Sequence, residues 1–190
     1  MIPIALAGPA VEPIPLADMK AYLRLDGADE DDLVSALIIA GRLTVERHAR
    51  IALIEQSWRL RLPAWPPDRV VLLPLLPVIG VDAVRVIGPP GPPVAVEPGL
   101  YRLDSSGDPA RLLVDPTVPE PGSPSGAVEV DVTCGYGAIP AAVPEPLRLA
   151  IRRLVAHWFE RRGDDQLPAA PGLPADARSL LAAFVRPRLA

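Results

Sequence analysis

Proline is the residue that most constrains what this chain can fold into. It fills 26 of 190 positions, and each proline fixes one backbone dihedral and removes one hydrogen-bond donor. Long unbroken helices and wide sheets are therefore disfavoured wherever prolines cluster, as they do at Gly88-Pro89-Pro90-Gly91-Pro92-Pro93 and from Pro119 to Gly126. Such segments read as turns between short strands. Disorder is not the alternative, because 49% of the residues are hydrophobic and only 22% are charged, which is the balance of a folded globular chain. A length of 190 residues suits one domain, or one domain with a large insertion, and is enough to bury a core.

The periodicity of apolar residues changes twice along the chain. Pro15, a good first-turn residue, precedes Leu16, Met19 and Leu23 at helical spacing, and this short helix should stop near Gly27. Asp29-Glu30-Asp31-Asp32 then supplies negative charge where a second helix begins, and Arg42, Arg47, His48 and Arg50 supply positive charge where it ends. Both suit the helix dipole, so a helix of about five turns is expected, with Leu33, Ala36, Leu37, Ala40 and Thr44 sharing its apolar face. From Ile54 the period falls to two. Ile54, Gln56, Trp58, Leu60 and Leu62 alternate with Glu55, Ser57, Arg59 and Arg61, the pattern of a half-buried strand.

Further strands are expected over 70–73, 81–87, 94–96, 101–103, 111–114 and 128–134, forming a small antiparallel sheet or sandwich. In the last of them Val128, Val130, Val132 and Cys134 define a dry face, and Glu129, Asp131 and Thr133 a wet one. Helical spacing returns after Pro144-Glu145-Pro146 with Leu147, Ile151, Leu154, Val155 and Trp158. Gly163-Asp164-Asp165 stops that helix, Leu167 to Pro174 reads as a linker, and Asp176 begins a last short helix through Leu180, Leu181 and Phe184 that Pro187 closes. The expected class is thus α+β: a helical body of N-terminal helices plus a C-terminal helix, an inserted antiparallel β-region, and a C-terminal tail helix. Helices stand at both ends of the sequence and strands between them.

Charge and chemistry narrow the function. A net charge of −4 and a pI near 5.2 argue against a chain whose main task is to grip nucleic-acid phosphates. The start lacks the basic segment of a signal peptide, and no apolar run reaches the ~20 residues that span a bilayer, so a soluble protein with no membrane partner is expected. Cys134 is the single cysteine, which excludes an intrachain disulfide and a cysteine-based zinc site. At the end of an apolar alternation it reads as a buried, inert thiol rather than a nucleophile served by His48 or His157. The run from Asp29 to Asp32 lacks the glycine and closing glutamate of a calcium loop. Gly135-Tyr136-Gly137 has neither the lysine nor the spacing of a phosphate loop and reads as a tight connection using permissive glycine backbone. No catalytic residue, cofactor or metal is expected.

Several segments together resemble the head–tail connector, or adaptor, proteins of long-tailed bacteriophages and gene transfer agents. They are Leu16-Ala17-Asp18-Met19-Lys20-Ala21-Tyr22-Leu23-Arg24-Leu25 with the acidic helix start after it, and Leu53-Ile54-Glu55-Gln56-Ser57-Trp58-Arg59-Leu60. Tyr101-Arg102-Leu103-Asp104, Thr133-Cys134-Gly135-Tyr136-Gly137, Val143-Pro144-Glu145-Pro146-Leu147-Arg148 and Ala156-His157-Trp158-Phe159-Glu160 follow in order. The resemblance implies a homo-oligomeric ring, commonly of twelve copies, in the neck of a virion or phage-like particle made in a bacterial cytoplasm. Its partners would be the portal protein on one side and a stopper or tail-completion protein on the other, with DNA passing through without specific binding. Residues 13–52 and 140–163 would form the ring body, 53–139 the β-region, and 164–190 a linker and docking segment. Leu180, Leu181, Phe184, Val185, Arg186 and Arg188 are candidates for portal docking, and Arg148, Arg152, Arg161 and Arg162 for the ring interface. The alternative is a nucleic-acid-binding packaging or regulatory factor driven by the arginine-bearing helix.

Overall fold

A computed structural model describes residues 1–88, 92–122, 128–162 and 173–185. The proline-rich turn at 89–91, the turn at 123–127, the Gly163 stop with most of the linker, and Pro187 lie outside the described residues. The chain divides into two compact units. One comprises Met1–Pro9 and Glu55–Gly135, and the other Ala10–Ile54 and Tyr136–Ala190. The class is α+β, with antiparallel sheets and four described helices.

The strand unit holds two sheets. The larger contains β1 (Ile2–Ala7), β2 (Gln56–Leu62), β4 (Val78–Val86), β5 (Val94–Ala95) and β8 (Val128–Cys134), in the order β1-β2-β8-β4-β5. The smaller contains β3 (Val70–Leu72), β6 (Tyr101–Asp104) and β7 (Arg111–Val114), in the order β3-β7-β6. Every pairing is antiparallel. Proline dictates this outline. Among the described residues only Pro3 lies within a strand, and β1 is an edge strand, where a missing N–H need cost no ladder bond.

β1 corrects the expectation that helices stand at both chain ends, because the sequence opens with a strand of the large sheet. Its alternation, Ile2, Ile4 and Leu6 between Pro3, Ala5 and Ala7, was visible but short, and every one of its residues is exposed.

β8 sits at the centre, pairing from Gln56↔Cys134 to Leu62↔Val128 on one side and with β4 on the other. Val128, Val130, Val132 and Cys134 are fully buried, as alternation requires. The opposite face is not wet. Glu129 and Asp131 are only 8% and 7% exposed, because arginines from both neighbouring strands close over them. Arg59 donates to both Asp131 oxygens, Nε to Oδ1 at 2.7 Å and Nη2 to Oδ2 at 2.9 Å, and Arg85 donates to Oδ2 at 2.6 Å. Arg59 also stands 3.3 Å from Glu129, and Arg61 3.8 Å. A carboxylate on a central strand has flanking strands on both sides, and long arginine stems reach it from each.

The helical unit contains α1 (Leu16–Leu23), α2 (Asp31–Ala49), α3 (Glu145–Glu160) and α4 (Ala175–Leu181). Its core gathers Met19, Val34, Ile38, Val45, Leu147, Ile151, Leu154, Val155, Ala177 and Leu181 with Ile14, Leu53 and Ile54. The buried face of α2 is Val34, Ile38, Gly41, Arg42, Val45 and Ala49, rotated from the expected one. Leu33 and Leu37 are only partly buried and Ala36 is exposed. The helix is apolar over more than half its circumference, so periodicity alone selected a neighbouring stripe. Gly41 lies against α3: a Cβ there would stand 3.2 Å from the Ile151 methyl Cγ2.

Arg42 is the one buried cation of α2 among the described residues. Its Nε donates to Glu12 and its Nη1 to Glu46, both at 2.9 Å. Glu46 also accepts the Leu53 N–H at 3.0 Å, and the Leu53 carbonyl accepts the Tyr136 N–H at 3.1 Å. These bonds fasten the three segments that begin or end the helical unit, near residues 12, 53 and 136, to the second half of α2. Burial opposes the Arg42 charge, but its two glutamates more than offset that and raise its pKa further.

Candidate functional site

Cys134 is fully buried and its Sγ faces the Leu75 carbonyl at 3.8 Å. Burial, with a smaller contribution from Asp82, pushes its pKa up to about 12, so almost no thiolate exists at neutral pH. It belongs to the strand unit, whereas His48 and His157 belong to the helical unit. In the acidic run, Asp31 pairs with Lys20 while Asp29 and Asp32 are exposed. Among the described residues no group of three or more His, Cys, Asp or Glu side chains is placed to hold a metal. No described helix is long and apolar enough to cross a membrane.

One cleft of the helical unit, about 520 Å³, opens between the ends of α1, α3 and α4, lined by Tyr22, Arg24, Arg153, His157, Glu160 and Asp176 among others. That volume would suit a small molecule, but such sites have predominantly apolar walls. Here the walls are mostly polar and partly spent on one another: Arg153 pairs with Asp176 at 3.6 Å, and Nε2 of His157 stands 3.2 Å from Arg161.

The C-terminal candidates divide. Leu181 is fully buried, together with Ala177 on the same helix. Leu180 and Phe184 are partly buried against that core, and Val185 is 39% exposed. Arg186 and Arg188 lie outside the described residues. α4 therefore packs on its own subunit through one face, chiefly against α3.

The four arginines form two separate pairs rather than one patch. Arg148 and Arg152 both donate to Glu145 at the start of α3, at 2.9 and 2.5 Å. At its end, Arg161 sits by His157, while Arg162 donates to the Phe159 carbonyl at 2.9 Å, stacks 4.0 Å over the Phe159 ring and reaches Glu30 at 3.3 Å. The sequence did not single out Arg153, which bridges α3 to α4. It also passed over Ile39 and Leu43, which are 42% and 53% exposed on α2; their helical spacing was the available signal, hidden by the apolar residues around them.

No family model matches the chain, and no curated protein does. Solved structures do match. A chain from the virion of a native gene transfer agent particle superposes with a TM-score of 0.83 and 27% identity, covering 100% of this chain and 98% of that one. The chain is similar throughout to a part of a gene transfer agent particle. A chain from the neck of an empty particle, computed with C6 symmetry, gives a TM-score of 0.81 and 28% identity at the same coverage. One from the neck of a native particle, computed with C12 symmetry, gives 0.76 and 26%. The likeness thus takes in both units rather than a shared piece of fold.

Proposed function

We propose that this chain is a structural subunit of a phage or gene transfer agent particle, and more specifically a head–tail adaptor that forms a ring in the neck. The observation that carries the reading is whole-length similarity, at 26–28% identity, to chains of gene transfer agent necks and virions. Neck structures computed with C6 and C12 symmetry favour a ring, and twelve copies is the number adopted here. Residues 13–52 and 140–163 serve as its body and 53–139 extend it, between a portal on one side and a stopper or tail protein on the other. Closed rings need two different surfaces that meet by rotation; Arg148, Arg152, Arg161 and Arg162 contribute to them in this proposal. A net charge of −4 suits passage of DNA without retention. The nucleic-acid-binding alternative gains no support, because Arg148 and Arg152 are already committed to Glu145.

Portal docking is assigned to Val185 and residues 186–190. Removing everything from Asp176 onward would strip Ala177 and Leu181 from the core, so the informative truncation deletes 186–190 alone. That variant should keep the circular dichroism spectrum of the full chain and no longer co-sediment with tail-less, portal-bearing capsids. Undiminished co-sedimentation would refute the docking role.

A further inference from the structure

One exposed stripe of α2 is built as its own complement. Asp32, Ala36, Ile39, Leu43 and Arg47 are all exposed and follow one another at steps of three and four residues, the spacing of a narrow helix seam. The sign and size of these residues mirror each other about the point between Ile39 and Ala40. Asp32 lies as far before that point as Arg47 lies after it, and the small Ala36 as far as the large Leu43. Among the described residues, Asp32 in the first turn of α2 and Arg47 in its last turn have no ion-pair partner within the chain. Ile39 and Leu43, at the centre, leave 42% and 53% of their surface in water.

We propose that α2 pairs antiparallel with α2 of a second copy about a two-fold axis. In that arrangement Leu43 of each copy fills the space over Ala36 of the other, and Ile39 meets Ile39 at the axis. Asp32 faces Arg47, once on each side of the axis. The occupant is argued from register: reversing a second α2 about this point brings Arg47 to Asp32 and Leu43 to Ala36 at the same time, so charge and size are complementary together. The inference goes beyond the ring. A cyclic ring joins two different patches, whereas a two-fold contact joins a patch to itself and closes at two copies. The pair is therefore a state of the free subunit, which covers the apolar stripe until the subunit enters a particle. A single helix pair buries little area, so the association is weak and concentration-dependent.

Sedimentation velocity of the full chain across a micromolar concentration series tests this. A monomer–dimer equilibrium is expected, and Leu43→Glu should weaken it at least ~tenfold, with an unchanged circular dichroism spectrum because the side chain is exposed. Asp32→Arg and Arg47→Asp should each weaken it roughly fivefold, and the double variant should return to within about twofold of the original. A chain that stays monomeric throughout, one that passes directly to larger rings, or a dimer indifferent to Leu43→Glu would overturn the proposal. So would a double variant weaker than either single one, since only the antiparallel register brings residue 32 to residue 47.

Discussion

At the scale of single residues, the buried carboxylates of β8 are matched by arginines from both neighbouring strands. Burial of Asp131 works against its charge, but hydrogen bonds from Arg59 and Arg85 outweigh it and hold the carboxyl below the usual aspartate range. A depressed folded-state pKa contributes stability that is complete above the unfolded value, near ~3.9, and is lost as pH falls through the folded value. Asp131→Asn should therefore destabilise the protein by about 1–3 kcal/mol at pH 7, less than a deeply buried pair because both arginines are partly solvated. The gap between wild type and variant should begin to narrow below pH ~4 and close only once pH has fallen through the lower folded value. Thermal melts of both proteins from pH 7 to pH 3 would check this, and a gap that stays constant would show that the arginines do not read the Asp131 charge. Cys134 gives a second test. It should resist a thiol reagent such as dithionitrobenzoate at pH 8 and react fully in denaturant, and rapid labelling of the folded chain would contradict its burial. Gly137 gives a third: with φ at +149° and a prospective Cβ 2.9 Å from that of Ala142, Gly137→Ala should lower stability by about 1–3 kcal/mol, read by urea denaturation.

At the scale of elements, α2 and β8 show what was legible and what was not. The length and polarity of α2 were written in its charges, acids at Asp31 and Asp32 and bases at Arg47 and His48, because the dipole acts locally. Its buried face was not, because Leu33, Val34, Leu37, Ile38, Ile39 and Leu43 are all apolar and only the position of α3 decides which of them are covered. The local mark of that contact is Gly41. Gly41→Val should cost about 1–3 kcal/mol by driving Ile151 and Val155 away, whereas Gly41→Ala trades a tight contact against a better helix former and should fall near zero. Chemical denaturation of the two variants separates them, and equal effects would argue against close packing at this crossing. For β8 the alternation gave the register of both faces. It could not reveal that the Glu129 face is sealed, since Arg59 and Arg85 come from strands 72 and 46 residues away. β1 was missed because six apolar and proline residues at the start of a chain carry no turn signal on one side.

At the scale of the whole molecule, the sequence order of the resembling segments carried further than any single motif. Among the described residues no group of three or more His, Cys, Asp or Glu side chains is placed to hold a metal, and the polar cleft of the helical unit is lined by groups partly engaged with one another. The candidate interface residues differ in how far they are engaged within the subunit, for a physical reason. Arg148, Arg152, Arg161 and Arg162 all have partners inside the subunit, and Leu181 is core, because a subunit must first satisfy its own buried charges and apolar faces. Surfaces left for other molecules are those with unspent groups, such as Ile39 and Leu43 between unpaired charges on α2. Such surfaces appear only when intrachain contacts are known, which is why sequence alone did not mark them.

The central claim is a ring seated between portal and tail. Its most direct test is electron cryomicroscopy of tail-less, portal-bearing particles mixed with this protein. Added density is expected at one vertex only, arranged with twelvefold symmetry and fitted by this fold in each repeat. Particles whose portal vertex stays unchanged at saturating protein, or density spread over the capsid surface, would contradict it.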